Sequence, residues 1–574
     1  MTNVKRDLKA KVEKSIDKYL GEIKPILSSK DRKKEWQKIK DLLLGLLKGK
    51  SCFLNTITEN TKHYQKKEEE FTKGKRKKGL NKNAQIDKLS AYLCFSIISK
   101  IALVSYLKFL GRKYFSQKNP DSDKNHSIKE KIYHKKLCLH DGTDIQKPYA
   151  KRREEERKKE KKNVSANEVN ADLQKDWKEE DKKRSKEHRA EENKDEKIQE
   201  QGKKTRKGME KLCNCRDGSK SSAKKIKVNK GYLVEGSAGF YRGRFFPFLL
   251  NTWSYLEEKF KNEKEKTLEN IKTLKKNRLC QQFLHIFDRG YDDVQFMLKA
   301  IKDLRIKFLI RANLKRNIVL KRTYDIFLEE KKTKKEALKL FKPMKDIINK
   351  EIYFQKHPEY DWFEIASSAV YLKGRDFSRR KDLKEDLIPV NLVAVRIINK
   401  NKEGIEGIEE DLEQGEKERE IYFFTNDPIE TIDDAIVIFY CYLKRWKIET
   451  WFKLLKQIFG MEKICLDSFV KIKALISLLP LATNYYYKFF NKFEKKEQEI
   501  KKGESSKEVF EKNKYKRTQE AILGELIFCC FKSFCSQKNR TTNPHSFTEF
   551  IHDAIGFKIS YPEKILDLRF DDTS

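Results

Sequence analysis

The stretch at residues 441–456 reads CYLKRWKIETWFKLLK. On a single helix with about 100° per residue, Tyr442, Arg445, Glu449 and Lys456 lie within roughly 60° of one another. The opposite side of that helix is apolar and carries Leu443, Ile448, Trp451, Leu454 and Leu455. The pattern therefore predicts one amphipathic helix with an apolar back and a polar front.

The polar front of this helix combines one carboxylate with an arginine, a lysine and a phenol. A carboxylate can hold a divalent cation, and the basic groups can hold phosphate oxygens. The front therefore suits a metal ion beside a phosphodiester. An ordinary surface helix with i,i+4 ion pairs would show the same residue types, so the rest of the chain has to decide between the two interpretations.

The spacing Tyr-x₂-Arg-x₃-Glu-x₆-Lys resembles the YREK signature of the bacterial insertion-sequence transposases of the type-four family, which use a DDE catalytic triad. Two upstream segments resemble the aspartate motifs of that family. Residues 283–292, FLHIFDRGYD, resemble the second motif, and residues 137–150, LCLHDGTDIQKPYA, resemble the first. The resemblance spans roughly residues 35–490.

The resemblance implies that Asp141, Asp288 and Glu449 form the catalytic triad and bind Mg²⁺ or Mn²⁺, as two ions. Two divalent ions about 3.5–4 Å apart can activate the attacking water and stabilise the leaving oxygen of a phosphodiester. Asp144 is a rival for the first position. We prefer Asp141 because it directly ends the predicted strand and is followed, one residue on, by Thr143, as in the family's motif.

The resemblance also assigns contacts with DNA to Tyr442, Arg445 and Lys456. Arg289 and Arg311 are further candidates, since the segment IKFLIRANLKR (306–316) resembles the family's strand after the second aspartate, where basic residues approach DNA. For both arginines, a surface side chain at a strand end is the simpler alternative.

The order of predicted elements from residue 137 to residue 313 is strand, strand, strand, helix, strand, helix, strand. This order is that of a ribonuclease H-like core, an α/β fold with a mixed sheet and helices on both faces. Residues 316–424 are again rich in β-strand patterns, such as VNLVAVRIINK (390–400). The resemblance implies that they form a β-rich insertion domain.

The chain divides into five predicted regions. Residues 1–135 are a helical, basic DNA-binding region, and residues 136–315 are the first part of the catalytic core. Within that part, residues 151–206 form a charged insertion, either disordered or a solvated helix, because they contain few apolar side chains. Residues 316–424 are the insertion domain, residues 425–490 complete the core with Glu449, and residues 491–574 are a helical C-terminal region that could serve dimerisation.

The composition favours a polyanionic partner. The chain has 129 basic and 88 acidic residues, a formal net charge of +41, which indicates nucleic acid first and an acidic membrane second. The N-terminal stretch lacks a signal-peptide pattern, and no apolar run reaches the roughly 20 residues that span a bilayer. We therefore expect a cytoplasmic protein, associated with the nucleoid when bound to DNA, with reduced cysteines. Cys213-x-Cys215 lacks a second pair at zinc spacing, so no metal is expected there.

Together these observations predict a transposase that binds double-stranded DNA at inverted repeats and in the target, acts as a homodimer, and cuts and joins strands with a metal ion. Two alternatives remain open from the sequence. One is a catalytically silent DNA-binding derivative of a transposase. The other is a metal-dependent nuclease without strand transfer, which needs the same carboxylates.

Overall fold

The computed structural model describes residues 14–24, 30–49, 52, 54–59, 61, 82–116, 126–146, 210–216, 228–258, 260–330, 333–374, 387–398, 419–466 and 468–501. Four predicted features lie wholly or largely outside these residues: the basic run 73–83, the charged insertion 151–206, the apolar stretch 521–531 and most of the C-terminal region 491–574.

The helices and strands follow one another in this chain order. The helices are α1 (14–22), α2 (Lys30–Gly49), α3 (Leu54–Glu59), α4 (Lys82–Tyr92), α5 (Phe95–Phe115), α6 (Ile128–His134), α7 (Glu263–Lys276), α8 (Val294–Lys302), α9 (Lys321–Glu329), α10 (Lys334–Lys339), α11 (Met344–Glu351), α12 (Ile432–Leu443), α13 (Trp446–Gln457) and α14 (Phe469–Lys501). The strands are β1 (Leu137–Gln146), β2 (Cys213–Arg216), β3 (Val228–Tyr241), β4 (Arg244–Trp253), β5 (Leu284–Phe287), β6 (Lys307–Arg311), β7 (Asn317–Leu320), β8 (Lys342–Pro343), β9 (Gln355–His357), β10 (Tyr360–Lys373), β11 (Leu387–Ile397) and β12 (Arg419–Thr425).

One mixed sheet joins all the described strands in the order β2-β3-β1-β5-β6-β12-β11-β10-β7-β8, with β4 beside β3 and β9 beside β10. Strands β1, β5 and β6 are mutually parallel, and the other pairings are antiparallel. The connection from β5 through α8 to β6 is a βαβ unit, which lets neighbouring strands run in the same direction. The predicted mixed α/β sheet with helices is therefore confirmed.

The central strands are buried on both faces, because a different group of helices covers each face. On β6, Phe308 and Ile310 pack with α7, α8 and α11, whereas Leu309 belongs to the cluster formed with α12, α13 and α14. This burial explains why LHIF in β5 and FLI in β6 read as continuous apolar runs rather than as an alternating pattern.

The β-rich region after residue 316 extends the same sheet. Strand β12 pairs antiparallel with β6 of the core, and β11, β10, β7 and β8 follow outward. Three helices, α9, α10 and α11, lie in the same stretch of sequence. The division of the chain into a core, an insertion domain and terminal regions stays a prediction, since these pairings do not delimit separate domains.

The stretch 441–456 is not the single helix that its periodicity predicts. Helix α12 ends at Leu443 and α13 begins at Trp446. Around this break, the amides of Lys444, Arg445, Lys447 and Ile448 each bond to the carbonyl three residues back, including Arg445 N to Tyr442 O at 2.9 Å. Bonds of this spacing tighten the turn and interrupt the α-helical ladder. Tyr442 therefore belongs to a different helix from Glu449, while the apolar back that includes Ile448 and Trp451 is buried as predicted.

No single helix in the described part of the chain is long and apolar enough to cross a membrane. One pair of helical segments, Ile86–Tyr92 and Phe95–Phe115, together has the length and composition of a membrane-spanning segment, but the pair is bent by 59°.

Gly236 on β3 allows α13 to approach the sheet closely. A Cβ atom at this position would lie 2.6 Å from Cζ of Phe452, which is closer than atoms can pack. Phe452 is buried and follows Glu449 by one turn of α13. Because Gly236 has no side chain, α13 can lie close to β3, and this close packing determines the distance of Glu449 from the sheet.

We predict that Gly236→Ala destabilises the protein by about 1–3 kcal/mol, because the added methyl group overpacks against Phe452. Thermal unfolding measures the effect. Gly111→Ala is the matched control, since its nearest neighbour would lie 3.8 Å away and the position is helical. The double variant Gly236→Ala/Phe452→Leu should recover part of the loss, and a strictly additive double variant would contradict this explanation.

Candidate active site

The parallel pairing of β1 with β5 brings the two predicted aspartates together. Leu137 lies opposite Leu284, Cys138 opposite His285, and Leu139 opposite Ile286. The same register, carried two residues further, places Asp141 beside Asp288. Neighbouring strands lie about 4.8 Å apart, so the two carboxylates share one edge of the sheet.

Asp288 directly follows β5 and begins a short 3₁₀ turn at Arg289–Tyr291. Its carboxylate accepts a hydrogen bond from the Gly290 amide at 3.0 Å, as an N-cap does. The prediction that Asp141 ends its strand is wrong, because pairing with β3 continues β1 to Gln146 and Asp141 lies within it. The Asp141 carboxylate accepts a hydrogen bond from the amide of Gly142 at 2.9 Å. Local backbone contacts therefore orient both side chains.

Arg445 links the first and third predicted triad residues. Its Nη1 atom lies 3.1 Å from Oδ2 of Asp141 and 2.6 Å from Oε1 of Glu449. The Arg445 side chain is only 6% exposed, whereas those of Asp141 and Glu449 are 16% and 32% exposed. The break between α12 and α13 places Arg445 at the N-terminus of α13, one turn before Glu449.

The surroundings raise the pKa of Asp141 to about 7. Burial is the main cause; Arg445 lowers the pKa, and the negative charges of Asp288 and Glu449 raise it. The three carboxylates therefore repel one another across one small volume. A bound cation would relieve this repulsion, and hard carboxylate oxygens are the ligands that Mg²⁺ and Mn²⁺ prefer. The donor set fits the metal ions that the resemblance implies.

Asp144, the rival first ligand, has other partners. Its Oδ1 lies 2.9 Å from Nζ of Lys456, and its Oδ2 accepts a hydrogen bond from Gln146 at 2.8 Å. Lys456 also lies 3.3 Å from Oε1 of Glu462. Lys456 thus faces a second acidic group, away from the carboxylates that Arg445 joins.

The other predicted DNA contacts differ in exposure. Arg289 is exposed in the turn after Asp288, and Arg311 is half-buried at the end of β6. Tyr442 is 4% exposed, and its ring centroid lies 4.6 Å from that of Phe423. Their contacts with DNA stay predictions.

Glu235 is a fourth acidic residue at this site that the sequence analysis did not single out. It lies on β3 opposite Gly142 and is 4% exposed. Both of its oxygens lie 3.2 Å from the Tyr291 hydroxyl, which also contacts Thr267 at 2.8 Å. Burial first, and then the charge of Asp141, raise the pKa of Glu235 well above its usual value. A glutamate inside the otherwise small and apolar run GYLVEGSAGF was the available signal.

Comparison with known proteins identifies a family to which part of the chain is similar. Residues 261–485 match the family model described as a transposase DDE domain. This match supports a DDE-type transposase. The matched region contains Asp288 and Glu449 and begins after Asp141. Transposases act on DNA, and those with a DDE domain generally use divalent metal ions. No curated protein matches the chain.

We predict that Asp141→Asn stabilises the protein by about 1–3 kcal/mol above pH 7 when metal is chelated. Below about pH 3, Asp141 is mostly protonated in both the folded and the unfolded chain, so the charge has little effect. As the pH rises towards 7, the folded state retains a proton that the unfolded state has released, so the wild type loses stability that the variant keeps. Urea unfolding at several pH values in EDTA tests this. Asp144→Asn is the control, and a pH-independent difference for Asp141→Asn would refute the prediction.

We also predict that Arg445→Met destabilises the chelated protein by roughly 2–4 kcal/mol, because it leaves two carboxylates without their shared buried cation. Saturating Mg²⁺ should raise the free energy of unfolding of the variant by more than it raises that of the wild type. Arg316→Met is the matched control, since Arg316 pairs with Asp292 at 2.7 Å rather than with a triad carboxylate. Equal effects of Mg²⁺ on the two variants would count against a shared metal site at the triad.

Proposed function

We propose that this protein is a DNA transposase of the type-four insertion-sequence family that binds inverted-repeat ends and performs metal-dependent cleavage and strand transfer. The observation that carries the proposal is the contact of one arginine, Arg445, with Asp141 and Glu449, two residues 308 positions apart in the sequence. The parallel register of β1 and β5 supports the third member, Asp288.

Asp141, Asp288 and Glu449 would hold Mg²⁺ or Mn²⁺, as two ions. Bound there, the metal supplies an activated water and a stabilised leaving oxygen for phosphodiester cleavage. The residues of the protein position the ligands and balance their charge. The Gly142 and Gly290 amides orient the two aspartates, and Arg445 offsets the negative charge of the carboxylates while no metal is bound.

Contacts with the DNA backbone are proposed for Lys456, Arg445 and the exposed Arg289, with Arg311 at the neighbouring strand end.

An open cavity of about 410 Å³ lies beyond the end of β6 and supports the proposal. Its lining contains three basic side chains and two amides, from Asn313, Lys315, Arg316, Asn317 and Lys373 together with Gly374. Such a lining suits phosphate oxygens, which accept hydrogen bonds from lysine, arginine and asparagine.

Cut-and-paste transposition by a homodimer is part of the proposal and rests on the family resemblance. The two other candidate functions need the same fold. A silent derivative would bind DNA without cutting it, and a nuclease would cut without joining. The products formed from a DNA end of the element's own flanks in Mg²⁺ distinguish the three: joined strands indicate a transposase, nicks alone a nuclease, and unchanged DNA a silent derivative.

We predict that Glu449→Gln abolishes cleavage, by at least about 100-fold, and leaves binding of the DNA end nearly unchanged. The substitution removes one negative ligand from the metal, whereas basic groups make most contacts with phosphates. Glu462→Gln is the matched control, because Glu462 lies just beyond the same helix and pairs with Lys456. Cleavage assays and gel-shift binding are measured on the same preparations. Normal cleavage by Glu449→Gln would show that α13 does not carry a catalytic ligand.

A further inference from the structure

A cluster of two thiols and two imidazoles lies in the sheet interior beneath the triad. Cys138 and His140 lie on β1, His285 lies on β5, and Cys280 lies in the loop before β5. All four side chains are at most 1% exposed. None of them has a part in the proposed cleavage reaction.

The strand register explains why these side chains meet. Cys138 and His140 are two residues apart on β1, so they point to the same face of the sheet. His285 lies opposite Cys138 in the parallel pairing of β1 with β5. One potential ligand atom from each of these three residues lies within 4.8 Å of the others.

Two of the distances within the cluster are close to those between metal ligands, and the three atoms that all lie within 4.8 Å of one another come from Cys138, His140 and His285, without Cys280. The Sγ atoms of Cys138 and Cys280 lie 3.7 Å apart, and Nε2 of His140 lies 2.9 Å from Nδ1 of His285. Zinc binds sulfur at about 2.3 Å and imidazole nitrogen at about 2.0–2.1 Å, so tetrahedral ligands lie roughly 3.3–3.8 Å apart. The thiol pair already has this separation, and the imidazole pair needs to open by only a few tenths of an ångström.

Hydrogen bonding alone does not satisfy the cluster. Ser237 Oγ lies 3.0 Å from Nδ1 of His140, and His140 in turn contacts His285. This series of hydrogen bonds ends at His285, because its Nε2 atom is buried and has no hydrogen-bond partner among the residues that the structure describes. The two imidazoles are thus linked to each other and to Ser237, and this series of hydrogen bonds ends in an unpaired nitrogen on the ring whose Nδ1 atom would bind the metal.

Cys280 has an unusual backbone conformation. Its φ is +67°, in the left-handed region, which costs a residue other than glycine roughly 1–2 kcal/mol. The thiol is nevertheless held against Cys138. A bond between sulfur and metal would offset this cost, as structural metal sites contribute directly to folding.

We propose that Cys138, His140, His285 and Cys280 bind one structural Zn²⁺ ion. Thiolate and imidazole select zinc, whereas the carboxylates of the triad select harder cations, so the protein would hold two kinds of metal at two sites. Ser237 would orient His140 from outside the coordination sphere. The ion would join β1 to β5 one residue before Asp141 and three residues before Asp288, and would thereby hold the two aspartates in register.

Metal analysis of the full chain tests the proposal. After expression with zinc in the medium and purification without chelators, the wild type should contain about one zinc per chain, as a four-ligand structural site requires. Cys138→Ala and Cys280→Ala should lose it. Cys441→Ala, which removes a buried thiol on α12, should retain it, and so should Glu449→Gln, which alters only the triad. Retention by Glu449→Gln separates this site from the proposed catalytic one.

Two measurements on the wild type do not depend on whether the variants fold. Modification of the thiols should release the zinc, and replacement by Co²⁺ should give tetrahedral visible bands with thiolate charge-transfer absorption. A folded wild type with less than about 0.1 zinc per chain, against the one ion that a structural site holds, would overturn the proposal. Zinc that thiol modification does not release, or a Co²⁺ spectrum without thiolate absorption, would also overturn it.

Discussion

The charge balance around Arg445 is the interaction on which the candidate site depends. One guanidinium holds two carboxylates from distant parts of the chain, Asp141 on a central strand and Glu449 on a helix. Carboxylates that share a small volume need a cation or a proton there, because desolvation and mutual repulsion both disfavour their charged forms. The raised pKa of Asp141 records that conflict, and the arginine reduces it without removing it.

Two features of the backbone make that contact possible. The tight turn between α12 and α13 turns Arg445 towards the sheet edge, and Gly236 lets α13 pack closely on β3. The parallel pairing of β1 with β5 then supplies Asp288 from the neighbouring strand. A site of this kind suits a divalent cation, because the protein has already brought the repelling charges together. A bound metal would relieve part of that repulsion.

The sequence predicted the elements that carry strong local patterns. The apolar runs before Asp141 and Asp288 indicated buried strands that lead into carboxylates, although β1 continues past Asp141 to Gln146. The apolar back of α13 indicated which side of Glu449 faces the core. The mixed sheet followed from the order of these elements and is confirmed. The predicted roles of the individual site residues still await experiment.

Other features could not be read from the sequence because they depend on contacts between distant residues. The break at Lys444 and Arg445 contains no proline or glycine, so periodicity continued through it. Glu235 and the cluster of Cys138, His140, Cys280 and His285 acquire meaning only when β1, β3 and β5 lie side by side. The pairing of Arg445 with Asp141 and Glu449 could not be predicted either. The family signature places an arginine at this position for contact with DNA, but it does not say which residues the arginine contacts in the absence of DNA.

The most direct test of the account is a crystal structure of the full chain with Mn²⁺, whose anomalous scattering locates the ion. The account predicts manganese coordinated by oxygens of Asp141, Asp288 and Glu449 at about 2.2 Å, with the Arg445 guanidinium displaced from at least one of the two carboxylates that it contacts. Manganese bound instead at Asp144 and Glu462, or a triad that stays closed around Arg445 at saturating Mn²⁺, would contradict it.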